Sequence, residues 1–273
     1  MVEYLRESFS VSLRRACNIV GISDSVYRYE PDQNRDDAVI EAIQAVVERY
    51  PAYGFPKVYK ILRRWGHTWN HKRIHRVYCK LSLNKRRRGK KRLPSRDPVK
   101  LSVPSAINQC WSIDFMSDSL FCGRKFRTLN IVDDFNREAL AIEIDIGMPA
   151  ARVTRVLDRI AEIRGYPRKL RMDNGPEFIS QKLAEWSEDK KVELLFIQPG
   201  KPTQNSYVER FNRTYREEIL NMYVFKTLSE VRARTEIWIQ EYNEERPHDS
   251  LDDMTPLEFM VTSKLNYSSL QCT

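Results

Sequence analysis

The sequence predicts an α/β protein in which a core built on a mixed sheet follows a small all-helical module. Three observations predict this class. Residues 36–82 carry apolar stripes of helical period and no strand pattern. Residues 109–197 read strand, strand, strand, helix, strand, helix, strand, an order typical of a mixed sheet with helices on its faces. Between these parts, residues 85–105 combine prolines with cations, as an extended linker does.

The helical module has clear boundary signals. Helices are predicted over 36–50, 57–66 and 71–82, and Asn70 is placed to cap the third. A helix, a Tyr-Gly turn, a helix, a short turn and a basic helix form the order of a helix-turn-helix module. We expect the basic face of the third helix to contact DNA through Lys72, Arg73, Arg76 and Lys80. The alternative is a helical hairpin that only braces the core.

The same module carries four residues that bind zinc in other proteins. They recur every four positions, as His67, His71, His75 and Cys79. Histidines at i and i+4 on a helix can hold zinc. The paired cysteines of a zinc site are missing, because the next cysteine is Cys110. We therefore expect packing or phosphate contacts from these side chains and no zinc requirement.

The predicted elements divide the chain into five segments. Strands are expected at 109–116, 124–133, 137–146, 168–173 and 192–197. Helices are expected at 150–165, 178–191, 204–221 and 228–244, followed by an irregular tail. The segments are a short helical part at 1–30, the helix-turn-helix module at 31–84, the basic linker at 85–105, the core at 106–222, and its C-terminal helix and tail at 223–273.

The positive charge is concentrated in the N-terminal part of the chain. The net charge is +9, and the first 110 residues hold 23 Lys and Arg against 10 Asp and Glu, while the remainder holds 23 against 27. This segregation indicates binding to a polyanion. The densest part is Lys85–Arg92, with seven cations in eight positions, and we expect DNA contacts from Arg86, Arg87, Arg88, Lys90 and Lys91.

Composition excludes several classes of protein. No apolar stretch approaches the roughly 18–20 residues that a membrane span needs. The N-terminus lacks the apolar core of a signal peptide. Five scattered cysteines without a C-x-x-C pair fit a reducing compartment. The expected location is the bacterial cytoplasm, on the nucleoid when DNA is bound, with no membrane partner.

Three carboxylates are the candidate catalytic residues. Asp114 lies in the apolar run WSIDF, Asp173 ends the strand KLRMD before an Asn-Gly-Pro turn, and Glu209 lies in the helical pattern SYVERF. Brought together from two strands and a helix, they would hold a pair of hard divalent cations, Mg²⁺ or alternatively Mn²⁺. Two such ions can clamp the attacking and leaving oxygens of a phosphodiester. Each residue alone is more often a cap or a surface group.

Other polar residues compete with these three for a role. Asp133 and Asp134 close the second predicted strand and are interpreted as turn or cap residues, and Asp118 follows the first strand. Glu177 lies one turn beyond Asp173 and is a candidate supporting group. The tripeptide Arg246-Pro247-His248 is interpreted as a helix-ending turn with a supporting role.

The sequence around the carboxylates resembles a known motif. Asp173 opens DNGPEF, Glu209 closes QPGKPTQNSYVE, and 35 residues separate the two. This resembles the DDE signature of retroviral-integrase-like transposases. Arg216 stands seven residues after Glu209, where that family carries a basic residue. The C-terminal segment is also similar to the family's, through Tyr242-Asn243, Arg246-Pro247-His248, Leu251 and Thr255-Pro256. Among insertion elements, the chain is most similar to the downstream reading-frame product of frameshifting elements.

The resemblance implies a fold, an activity and partners. The fold is a ribonuclease-H-like core, and the activity is that of a DDE polynucleotidyl transferase with two Mg²⁺ ions on Asp114, Asp173 and Glu209. Lys201, Arg213 and Arg216 are then expected to contact DNA. The expected partners are double-stranded DNA, further copies of the chain in a synaptic complex, and an upstream reading-frame product or fusion.

The expected function is cleavage of element ends followed by transfer of the 3′-hydroxyl into target DNA. Two alternatives stay open. One is a ribonuclease-H-like nuclease that cleaves without joining, and the other is a non-catalytic DNA-binding regulatory product of the element. The carboxylate triplet argues against the non-catalytic product. A strand-transfer assay with a pre-cleaved end distinguishes the nuclease from a transposase.

Replacing the five basic residues of the run with alanine should weaken binding to every DNA sequence. Each lost phosphate contact lowers the slope of log affinity against log salt by about one. Anisotropy titrations over a range of salt concentrations measure this slope. An unchanged slope would show that the run faces solvent instead of DNA.

Overall fold

The computed structural model describes residues 1–30, 34–85, 104–175, 178–198 and 205–270, with side chains up to residue 263. These residues form two compact units. The first comprises residues 1–45 and 69–83, and the second comprises 46–68 and the chain from 84 onwards. Seven residues named above lie outside the described ranges: Arg86, Arg87, Arg88, Lys90, Lys91, Glu177 and Lys201.

Before the linker the described chain is helical. Its helices are α1 Val2–Phe9, α2 Leu13–Val20, α3 Asp24–Tyr27, α4 Asp37–Arg49, α5 Phe55–Arg64 and α6 His71–Lys80. The predicted cap of α6 is confirmed, because Asn70 Oδ1 accepts a hydrogen bond of 2.8 Å from the Lys72 N–H. In the first unit, the apolar faces of α4 and α6 are buried, with Val39 and Ile43 on α4 and Ile74 on α6 fully inaccessible.

A five-stranded mixed sheet forms the centre of the second unit. Its strands are β1 Cys110–Ser119, β2 Lys125–Asp133, β3 Ala139–Asp145, β4 Lys169–Met172 and β5 Glu193–Phe196. The order across the sheet is β3-β2-β1-β4-β5. The first three strands pair antiparallel, while β1, β4 and β5 pair parallel. Parallel neighbours need crossover connections, which the intervening helices supply.

Helices and one π-helical turn complete the second unit. They are α7 Ala150–Arg164, α8 Gln181–Lys190, α9 Ser206–Tyr215 with the π-helical turn Arg216–Leu220, α10 Leu228–Glu244 and α11 Pro256–Leu270. No helix within the described ranges combines the length and apolar character needed to cross a membrane.

Side chains alternate between two cores on the two faces of the sheet. Along β1, Trp111 and Ile113 belong to the cluster that includes α7 and α8. Met116 packs against the other cluster, which contains Phe211 of α9 and Trp238 of α10. Because the side-chain period of a strand is two, Asp114 points to the same face as Met116. The strand therefore presents this carboxylate to α9.

Three sequence expectations were wrong. The tail is not irregular, since α11 begins at Pro256 behind a capping box: the Glu258 N–H donates to Thr255 Oγ1 (3.2 Å) and the Thr255 N–H donates to Glu258 Oε2 (2.8 Å). The first strand does not stop at 116, because its pairing with β2 continues to Ser119 opposite Lys125. Asp118 therefore lies within β1. The helix expected over 204–221 changes to π-helical geometry at Arg216.

Ion pairs hold α5 and the end of α4 against the C-terminal segment of the second unit. Arg49 lies 2.7 Å from Glu245, Arg64 donates to Glu258 at 2.8 Å, and Lys60 binds Asp249 and Asp253. These contacts explain why residues 46–68 belong to the same unit as the sheet. The middle helix of the predicted helix-turn-helix module is thus part of the core's packing.

Arg171→Met should lower the free energy of unfolding by about 3 kcal/mol, because it leaves a buried carboxylate without its partner. Arg171 Nη1 lies 2.5 Å from Asp134 Oδ2, and the Asp134 side chain is fully buried. Lys169→Met on the same strand is the matched control, since it removes only an exposed pair with Glu193 (2.9 Å), worth about 0.5 kcal/mol. Urea unfolding measures the free energy of unfolding of both variants. Equal decreases in the two variants would contradict the prediction.

Candidate functional site

The sheet places Asp114 beside Asp173. In the parallel pairing of β1 with β4, Ser112 lies opposite Arg171, so continuing the register by two residues sets Asp114 opposite Asp173. Asp173 is the first residue after β4, and its Oδ1 accepts a hydrogen bond of 3.0 Å from the Gly175 N–H. The predicted strand-to-turn transition is confirmed. The turn fixes the carboxylate at the C-terminal end of β4.

A chain of hydrogen bonds ties helix α9, which carries Glu209, to the sheet beside Asp114. Asn212 Nδ2 donates to Asp114 Oδ2 at 2.7 Å, and Asn130 Nδ2 donates to Asn212 Oδ1 at 2.6 Å. Asn130 lies directly opposite Asp114 in the pairing of β1 with β2. Glu209 precedes Asn212 by three residues, so the two side chains share one side of α9. The third carboxylate therefore faces the first two.

The electrostatics of Asp114 include the charges of the other two carboxylates. Burial, together with the charges of Asp173 and Glu209, raises the pKa of Asp114 to about 6, against hydrogen bonds from the Phe115 N–H and Asn212 that lower it. Burial also raises the pKa of Glu209, opposed by the positive charge of Arg213. Asp114 therefore lies within electrostatic range of the other two carboxylates.

Sequence reasoning missed Asn130 and Asn212 as members of the site. Asn130 is fully buried in the middle of an apolar strand, and Asn212 is 8% exposed. A buried amide needs partners, so an Asn inside the run Leu129-Asn130-Ile131 was the available signal. The other acidic candidates lie elsewhere: Asp133 accepts N–H groups of Asn108 and Phe135 at 2.9 Å, as a turn residue does.

The basic residues after Glu209 have different surroundings. Arg213 is exposed on α9, four residues beyond Glu209. Arg216 donates to Asp118 Oδ2 at 3.0 Å and to the Ser117 carbonyl at 2.9 Å. It therefore fastens the start of the π-helical turn to the end of β1. A phosphate contact by Arg216 would have to compete with this ion pair.

In the first unit, the basic face of α6 surrounds Asp36. Arg73 and Arg76 lie 3.1 and 2.8 Å from its carboxylate oxygens. Burial opposes ionisation of Asp36, but these hydrogen bonds outweigh it and hold its pKa below the usual value. A cavity of about 600 Å³ opens beside the group, lined also by Tyr29, Arg35, Asn70 and Lys72. Lys72 and Lys80 are exposed.

The histidine series of α6 forms a small cluster. The rings of His71 and His75 stack with their centroids 6.4 Å apart, and Cys79 Sγ lies 3.7 Å from His75 Nε2. Across the described parts of the chain, no three His, Cys, Asp or Glu side chains are arranged closely enough to hold a metal ion.

Comparison with known proteins supplies the family. A family model described as an integrase core domain matches residues 104–202, another with that description matches 190–256, and an HTH-like domain matches 34–91. An insertion element IS407 protein of 31.7 kDa from Burkholderia multivorans is 42% identical over 93% of this chain and 92% of its own length. An insertion element IS476 protein of 39.2 kDa from Xanthomonas euvesicatoria is 36% identical over 99% of this chain and 77% of its own.

The chain belongs to the integrase-core transposases of insertion elements. A transposase for insertion sequence element IS904 from Lactococcus lactis is 24% identical over 85% of this transposase and 97% of its own length. Among solved structures, a simian T-cell lymphotropic virus intasome in complex with PP2A regulatory subunit B56 gamma matches with a TM-score of 0.50 and 15% identity, over 71% of this chain and 68% of that one. The predicted ribonuclease-H-like core and helix-turn-helix-like module are confirmed.

Asp114→Asn should stabilise the transposase in the absence of divalent cations. At pH 7 we expect a gain of about 1 kcal/mol or more, because the variant removes a half-buried charge that two carboxylates repel. The raised folded-state pKa means that the penalty is absent below about pH 4 and complete above about pH 6. Urea unfolding with a chelator across this range measures the gain. Asp189→Asn, at an exposed residue of α8, is the control, and an equal gain at both ends of the range would contradict the prediction.

Proposed function

We propose that this chain is the catalytic subunit of a DNA transposase that cleaves the ends of its element and joins the 3′-hydroxyl to target DNA. The observation that carries the proposal is that Asp114 lies within electrostatic range of Asp173 and Glu209, near the C-terminal end of β4. Two of them come from adjacent parallel strands, and the third comes from a helix that is hydrogen-bonded to the first through Asn212. Grouped carboxylates favour phosphoryl transfer over a purely DNA-binding role.

Asp114, Asp173 and Glu209 carry the type of oxygen donor that a pair of hard divalent cations would take. Mg²⁺ prefers oxygen ligands and keeps substrate phosphates in its shell, and Mn²⁺ accepts the same donors. Burial and the charges of Asp173 and Glu209 raise the pKa of Asp114, and bound cations would offset the repulsion between these charges. Glu209 is exposed, so its side chain is free to change rotamer and complete a ligand set with Asp114 and Asp173. When bound, the ions would stabilise the charge on the attacking and leaving oxygens.

The surrounding residues orient the carboxylates and bind DNA. Asp114 is held at both oxygens, by the Phe115 N–H at 2.8 Å and by Asn212 at 2.7 Å. Asn212 is a positioning residue, because it acts through Asp114. Arg213 lies on the exposed side of α9 close to Glu209 and would bind a phosphate of the DNA end. Lys72, Arg73, Arg76 and Lys80 of α6 and the basic linker would hold the flanking duplex.

The reaction also implies an assembly. An element has two ends, and one set of three carboxylates acts on one phosphodiester at a time. We therefore infer that further copies of the chain join in a synaptic complex with both ends and the target. An upstream reading-frame product, or a fusion with it, is the second inferred protein partner, and assays with and without it test its contribution.

Asp114→Asn, Asp173→Asn and Glu209→Gln should each abolish cleavage and joining while DNA retention stays largely intact. Each change removes one anionic ligand and little volume. The assay is Mg²⁺-dependent joining of a labelled, pre-cleaved DNA end to a target plasmid, which also separates a transposase from a nuclease that only cleaves. DNA retention is measured in parallel by anisotropy.

Two exposed acids supply matched controls, Asp189→Asn on α8 and Glu236→Gln on α10. Both should join DNA at the rate of the unaltered chain. Full joining by any one of the three site variants would remove that residue from the catalytic set. Cleavage without joining by the unaltered chain would favour the nuclease.

A further inference from the structure

A groove extends from Glu209 and Arg213 to side chains that have no part in the proposed chemistry. It lies between the exposed side of α9 and residues 246–250, has a volume of about 610 Å³, and is called the α9 groove below. Every residue that lines it belongs to the second unit. Binding sites for small molecules measure about 300–1,000 Å³, so the groove has room for a nucleotide and not for a duplex.

The lining of the α9 groove carries uncompensated positive charge. Its five cations are Lys57, Arg137, Arg210, Arg213 and Arg246. Arg246 and Lys57 lie 2.7 and 3.7 Å from Glu218 and are already paired. Within the described ranges, no carboxylate lies within ion-pair distance of the other three guanidinium groups.

The carboxylates of the lining do not balance those three groups. They are Glu209, Glu217 and Asp249. Asp249 is bound to Lys60 and also attracts Arg210, while Glu209 attracts Arg213. Two carboxylates without an ion pair, Glu209 and Glu217, therefore face three guanidinium groups. Arg210 and Arg213 are three residues apart on one side of α9, a spacing at which two guanidinium groups can bind one phosphate.

Two polar atoms at the groove are buried without a hydrogen-bond partner. One is Nη1 of Arg137, whose guanidinium group stacks 3.6 Å above the ring of Tyr207. The other is Nε2 of His248, a side chain that is 9% exposed and packs edge-on against Tyr242 at 4.8 Å. Buried polar groups are nearly always satisfied, so two orphans in one groove point to a ligand.

The state of His248 defines what it can bind. Burial, with the charges of Arg246 and Lys57, lowers its pKa to about 3, so the ring is neutral at physiological pH. The ring also hydrogen-bonds to the backbone of Tyr242. With one nitrogen donating to that carbonyl, the free Nε2 is an acceptor and requires a donor group.

We propose that the α9 groove binds one unpaired nucleotide of the DNA end, with its phosphate on Arg210 and Arg213, its base beside Tyr207, and an amino group of the base donating to His248 Nε2. This inference rests on the proposed function, because it places the nucleotide next to the phosphodiester that the carboxylates act on. Adenine and cytosine carry such an amino group, while thymine presents a carbonyl in its place. The groove should therefore prefer adenine or cytosine over thymine.

The test uses the full chain in chelator, so that binding is measured without cleavage. The probes are fluorescein-labelled duplexes with a blunt end, an end with unpaired adenine, and an end with unpaired thymine. The unpaired adenine should bind about tenfold more tightly than the blunt end, the scale of one base contact. Arg210→Ala, at an exposed position, should remove that preference, and His248→Leu should remove the preference for adenine over thymine.

Arg234→Ala is the matched control, because Arg234 is an exposed cation on α10 that stacks on Tyr223 at 4.9 Å outside the groove. It should keep both preferences, and thermal unfolding shows whether each variant is folded. Equal affinity of the unaltered chain for blunt and unpaired ends would overturn the proposal. So would an Arg210→Ala variant that weakens blunt and unpaired ends equally.

A parallel joining assay with Mg²⁺ separates the two proposals. A chain that joins DNA but does not distinguish unpaired from blunt ends refutes the groove inference and leaves the transposase function standing. A chain that distinguishes them but joins nothing supports the groove as a nucleotide site and refutes the proposed function.

Discussion

The geometry of the site depends on one chain of hydrogen bonds, from Asn130 through Asn212 to Asp114. Apolar contacts by Val208, Phe211 and Tyr215 press α9 onto the sheet, but such contacts are not directional. The buried amide of Asn212 requires specific partners, and only one rotation and height of α9 satisfies it. Because Glu209 lies one turn before Asn212, that requirement also sets the position of the third carboxylate relative to the first.

The C-terminal segment packs on the same face of the sheet as α9 and binds the edge strand β3. Asn243 accepts from the Ala139 N–H at 2.9 Å and donates to the Ala139 carbonyl at 3.0 Å, beside the irregularity where β3 changes its pairing with β2. The π-helical turn is fixed by Glu218, which accepts hydrogen bonds from Trp238 Nε1 at 2.9 Å and from Arg246 at 2.7 Å. Asn243 and Arg246 of the C-terminal segment therefore hold β3 and the π-helical turn that continues α9.

Most of the correct sequence predictions rest on signals between residues close in sequence, and side-chain contacts between distant residues were not predicted. The cap at Asn70, the Asp-Asn-Gly turn after β4 and the bounds of α10 depend on residues close in sequence, and the structure confirms all three. The Thr255 capping box is equally local, and its signal was simply overlooked. By contrast, Asn130 meets Asn212 and Arg216 meets Asp118 across 82 and 98 positions, and no pattern in a single sequence indicates which distant side chains will meet. The three carboxylates could be identified because each sits in its own recognisable local context.

The distribution of free positive charge follows from the same carboxylates. A site with three negative charges repels the phosphodiester that it is proposed to act on. In the first unit the cations Arg73 and Arg76 are paired with Asp36, and at the end of β1 Arg216 is paired with Asp118. Arg210 follows Glu209 directly and Arg213 lies about one helical turn beyond it, so both can counter that repulsion at short range. Both guanidinium groups are exposed, so they stay hydrated and are available to bind a phosphate beside the carboxylates.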